Sequence, residues 1–76
     1  MIEELDTVVL TTHLPAHNLE AGDIGTVVLI HGNHEGYEVE FVALDGETIA
    51  VVSVFPAQIR SIKAGEIAHV RELESA

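Results

Sequence analysis

Three groups of residues in this chain have types and spacings that could do chemistry. Glu38 and Glu40 stand two apart in Tyr37-Glu38-Val39-Glu40-Phe41. On a strand that spacing puts both carboxylates on one face, about 7 Å apart along the rise. Paired carboxylates can share acid and base work if a pocket holds the substrate. On a solvated strand face they are fixed negative charges, suited to lysine or arginine on a partner. The second group is histidine. His13 and His17 are four apart, and His31 and His34 three apart. On a helix such spacings gather imidazoles on one face, but Pro15 lies inside the first pair and Gly32 inside the second. A hairpin loop could still gather His31, His34 and Glu35, a donor set that suits Zn²⁺, Ni²⁺ or Cu²⁺. Ordinary polar loop histidines are the plainer reading, so no metal and no other cofactor is expected. The third group is Thr11 and Thr12 beside His13. Neighbours on an extended chain point apart, and no oxyanion-hole motif accompanies them. With no catalytic motif, the chain is not expected to be an enzyme. Tyr37, the single tyrosine, suits either an interface anchor or a cap on the interior.

The elements that would position these groups read as strands. Residues 37–41 alternate cleanly, with Tyr37, Val39 and Phe41 on one side and the two glutamates on the other. Thr26-Val27-Val28-Leu29-Ile30 before them is β-branched and apolar, as in a largely buried strand. Between them His31 to Gly36 is polar or glycine and reads as a hairpin loop. Ahead of the pair, Glu20-Ala21-Gly22-Asp23 places Gly22 where a type II turn needs positive φ. Gly25 then marks a bulge or a close backbone approach. Asp45-Gly46 announces a second hairpin. Pro56-Ala57-Gln58 predicts one 3₁₀ turn before a short last strand.

Taken in order, strands are expected near 5–11, 25–31, 37–43, 48–55 and 59–62. Thr11 to Leu19 is expected as a loop pinned by Leu14 and Leu19. The core expected from alternation is Val9, Val27, Leu29, Val39, Phe41, Ile49, Val51 and Ile59. The tail, 64–76, fits two periods: Ile67, Val70 and Leu73 suit a helix face, while Ile67, His69, Arg71 and Leu73 suit a strand. It is expected as an added strand or a short helix. The result is one all-β domain over 1–76, a small five-stranded barrel with a core of about 5–62 and a C-terminal extension.

At 76 residues without cysteine, the chain has neither a disulfide staple nor a thiolate metal site. An apolar content of 47% argues against disorder. No apolar run approaches the roughly 20 residues of a spanning helix, and MIEELD lacks the apolar segment of a signal peptide, so the cytoplasm is the expected compartment, with no membrane partner. Thirteen acids face three bases, a formal net charge of −10. Arg60, Lys63 and Arg71 are the only bases, so residues 1–59 carry none. Such a surface repels phosphate backbones and anionic lipid, and suits a basic protein or a cation.

Leu19-Glu20-Ala21-Gly22-Asp23-Ile24-Gly25-Thr26-Val27-Val28, followed by Val39-Glu40-Phe41, resembles the turn-and-strand signature of KOW and SH3-like barrels. Over nearly its whole length the chain also resembles a small uncharacterised bacterial family that shows ELDTVVLT, AGDxGTVV, YEVEF, a DG hairpin and GEIAHVREL. The resemblance implies an SH3-like (KOW-like) barrel, and in some members a place beside small toxins. RNA-binding KOW barrels carry lysine and arginine around the signature, whereas Leu19 to Phe41 carries neither. Nucleic-acid binding therefore does not come with the likeness. The expected function is a non-catalytic acidic module that docks a basic protein, such as a toxin it neutralises, through Glu38, Glu40, Asp45, Glu47 and Tyr37. The alternative is an accessory or scaffold subunit of a larger complex, with contacts from Ile67, Val70 and Leu73.

Overall fold

The computed structural model describes residues 1–73. Five strands form: β1 (Thr7–Leu10), β2 (Ile24–His31), β3 (Gly36–Val42), β4 (Thr48–Val54) and β5 (Ile59–Ser61). All pairings are antiparallel, in one sheet of order β4-β3-β2-β1-β5. All five expected strands are present, most shifted by a residue or two. The first starts later, because Leu5 takes a left-handed φ of 70° in a turn before β1.

The turn chemistry follows the sequence. Gly22 has φ 98° and the Asp23 N–H donates to the Glu20 carbonyl at 3.0 Å, closing the four-residue turn before β2. Gly25 marks a close approach. A Cβ there would lie 2.6 Å from Val39 Cγ1 and 3.0 Å from the Glu40 carbonyl oxygen. Pro56–Gln58 forms the expected 3₁₀ turn. A further 3₁₀ turn at Pro15–His17 sits inside the loop pinned by Leu14 and Leu19, which bridge to each other.

The expected barrel does not close. The Pro56–Gln58 turn carries the chain from β4 to β5, which pairs with β1 instead of meeting β4. Yet Val52 and Val54 on β4 share one core cluster with Ile59 on β5, so the sheet curls around its own interior. Val8, Leu10, Leu19, Val27, Tyr37, Val39 and Phe41 complete that cluster, with Ile2 and Leu14 packed against it. Val9, on the opposite parity of β1, is buried between Ile24 and Arg60 on the neighbouring strands.

Three expected core positions fail for two reasons. In β2 a bulge at Val28 shifts the pairing, so that Val27 faces Val39 but Leu29 faces Glu38. Leu29 therefore lies on the outer face, 46% exposed. In β4 the pairing sets Val52 opposite Val39 and Val51 opposite Glu40. Val51 is thus 53% exposed, and Ile49, skipped between Ala50 and Thr48 in the ladder, is half-buried.

The tail is neither strand nor helix as far as Leu73, and its last three positions lie outside the described residues. Ion pairs made by Arg60 and Arg71 fix it. Arg60 holds Glu66 through two hydrogen bonds, at 2.9 and 2.6 Å. Arg71 grips Asp23 at 2.8 and 2.5 Å and donates to the Asn18 carbonyl at 2.9 Å. Between these clamps Ile67 and Val70 are 92% and 70% exposed.

Candidate functional site

β3 alternates because its inner residues fill the curl of the sheet, which sends Glu38 and Glu40 to the outer face. Cross-strand neighbours then fix their carboxylates. His31 Nε2 lies 2.6 Å from Glu38 Oε2, and the Ser53 hydroxyl donates to the same oxygen. These hydrogen bonds, first from His31 and then from Ser53, outweigh burial and hold the Glu38 carboxyl below the ordinary glutamate range. The Thr48 hydroxyl donates to Glu40 Oε2 at 2.8 Å. Leu29 is opposite Glu38 on β2, and Val51 is opposite Glu40 on β4. The outer face therefore presents two oriented carboxylates flanked by exposed aliphatic side chains.

Serine, histidine and glutamate meet here, but in the wrong order for nucleophile activation. A serine is activated when its proton passes to an imidazole that a carboxylate orients. Here both Ser53 and His31 spend their contact on one oxygen of Glu38. The arrangement orders a negative charge and leaves the hydroxyl unactivated.

The other expected site residues are dispersed. Asp45 and Glu47 lie exposed in the β3–β4 hairpin, where Asp45 Oδ1 accepts the Glu47 N–H at 3.1 Å. Tyr37 is 4% exposed in the core cluster, so of its two readings the interior one holds and it offers no anchor to a partner. His31, His34 and Glu35 do not converge. His31 turns to Glu38, while His34 Nε2 lies 3.6 Å from Glu3 Oε1 and its ring stands edge-on to Tyr37. Glu35 folds back on the Asn33 N–H, at 3.4 Å. Among the described residues no three His, Cys, Asp or Glu side chains gather as metal ligands would.

Sequence reasoning missed the residues that order the carboxylates. Ser53 was the available signal, as the one polar side chain inside Ile49 to Val54. Its parity marks which side of β4 faces the glutamates. The Arg71–Asp23 pair spans 48 residues and leaves no local signal.

Fold and site together define a small acidic all-β domain that displays an ordered carboxylate pair on one face of an open sheet. The chain belongs to the family described as Domain of unknown function (DUF4926), whose model matches residues 4–61. No curated protein and no solved structure matches it. The match ends with β5, so the clamped tail, including GEIAHVREL, lies beyond the matched segment. No helix among the described residues is long and apolar enough to cross a membrane.

Proposed function

We propose that the chain is a non-catalytic protein-binding module whose outer sheet face docks a basic protein in the cytoplasm. The observation that carries this reading is the pair Glu38 and Glu40, each held by a neighbour and bordered by exposed Leu29 and Val51. Pre-oriented carboxylates bind lysine or arginine without first losing rotamer freedom, and the aliphatic border accommodates the stems of those side chains. No base lies within residues 1–59, so the surrounding field steers such a partner inward. A small basic toxin, neutralised by occlusion, is the partner class this reading favours. Five short antiparallel strands curled around one core, with a 3₁₀ turn before the last, support the SH3-like (KOW-like) likeness. The same surface repels phosphate, so DNA and RNA are not partners in this reading.

A second reading rests on the tail. Ile67 and Val70 are exposed on a segment clamped at both ends, as a docking strip of a scaffold subunit would be. Retention of host proteins on immobilised wild-type chain, on Glu38→Lys/Glu40→Lys, and on a chain lacking residues 66–76 separates the two. The acidic-face reading expects a basic protein whose retention weakens with salt, vanishes in the double variant and survives the deletion. Retention indifferent to the double variant but lost on deletion overturns it in favour of the scaffold.

A further inference from the structure

The two edges of the sheet are not alike. β5 is three residues long, and the Arg60 side chain donates to the Ser61 carbonyl at 3.0 Å beside it. Shortness and charge are the usual protections of an edge against stray pairing. β4 has neither. It is seven residues, Thr48–Val54, reading TIAVVSV, with no charge and no proline. Its one irregularity is the bulge near Thr48. Among the described residues, no backbone hydrogen bond joins β4 to anything but β3. Alternate N–H and C=O groups along it therefore point outward unpaired, the arrangement that accepts another strand. Exposed Phe55 and a shallow depression lined by His31, Ser53 and Val54 border its far end.

We propose that the free edge of β4 takes up an extended segment of a basic partner as a sixth strand of the sheet. This rests on the reading of the chain as an acidic binding module and specifies how the partner sits. Strands lie about 4.8 Å apart, so the added strand runs about 10 Å from β3. Lysine or arginine side chains on its outer face lean over Val51 and Ser53 to reach Glu38 and Glu40. Residues on its inner face extend the core beside Val52 and Val54. The partner segment therefore alternates basic and apolar residues over about the length of β4. Charge decides the occupant: a second copy would bring a formal −10 against an equal charge, whereas a basic strand is attracted to it.

The test uses the full chain and a synthetic heptapeptide alternating lysine and valine, with an N-methylated version that cannot pair through its backbone. Expected is slowed hydrogen exchange at alternate amides of Thr48–Val54, none at β5, and affinity reduced about tenfold or more by N-methylation. If both peptides bind equally, lose affinity in Glu38→Lys/Glu40→Lys and leave exchange in β4 unchanged, the edge is overturned and the acidic face stands. If neither binds at low salt, edge and face fall together. If β4 is protected without peptide while the mass rises with concentration, the edge belongs to a second copy and the basic occupant is wrong.

Discussion

Glu38 shows how one side chain is set by the two strands beside it. Its carboxyl sits below the ordinary glutamate range because His31 and Ser53 both contact Oε2. A depressed folded value means that ionised Glu38 stabilises the fold above its unfolded pKa, and that this contribution is lost as pH falls through the folded value. Titration followed by NMR should place the Glu38 midpoint below the ordinary glutamate value of 4.5. Replacing His31 by Ala should raise the Glu38 midpoint, and replacing Ser53 by Ala should raise it less, following the order of the two contributions. A midpoint unmoved by either substitution would remove the basis for calling this carboxylate pre-oriented. The residue pair Glu38 and Glu40 was legible from alternation alone. Its ordering partners were not, because they come from different strands and only the register brings them together.

At the scale of elements, the tail carries a second acid-sensitive feature. Hydrogen bonds from Arg60, then from the Lys63 amide, push the Glu66 carboxyl from its ordinary 4.5 down to about 2. The clamp it forms is intact above pH 4.5 and loosens as pH falls toward 2. Burial raises the Asp23 carboxyl, but hydrogen bonds from Arg71 and the Glu20 amide outweigh it and leave the group below its ordinary value. Arg71→Ala leaves the burial and removes the main opposing contact. The Asp23 midpoint should therefore rise, and Ile67 to Val70 should gain fast backbone motion in NMR relaxation; an unchanged tail would show that Arg71 does not hold it. Strand positions were readable because hairpin turns and β-branched runs are local signals. Facing was readable only where one side of a strand is polar, as in β3. β4 carries apolar residues on both parities, with Ser53 its one internal polar mark, so its phase came from pairing with β3, and the bulge at Val28 reversed the phase of Leu29. The tail fitted two periods and adopts neither, since ion pairs to distant residues fix it.

For the molecule as a whole, the core is small and every inner position counts. Phe41 is a buried member of the core cluster, so Phe41→Ala should cost about 3–5 kcal/mol. Domains hold about 0.05–0.15 kcal/mol per residue in total, so that variant should be largely unfolded by circular dichroism. Leu29→Ala, on the half-exposed outer face, should cost about 1 kcal/mol or less and melt cooperatively. Equal losses in the two variants would contradict the phase shift at Val28.

The crowding at Gly25 gives the chain a thermal switch for genetics. An alanine methyl there meets Val39 and Phe41 side chains and the backbone oxygen of Glu40, and the backbone has little room to give. Overpacking of this kind costs about 1–3 kcal/mol. In a domain this size each kilocalorie lowers the melting temperature by about 4–8 °C. A Gly25→Ala allele should therefore be conditional, supporting normal levels of the protein in cool culture and losing it on a modest upshift. Because Gly25 lies on the inner side of β2, opposite the face that carries the Glu38 and Glu40 carboxylates, such an allele would switch off the whole protein in living cells without changing any side chain of the face proposed to bind.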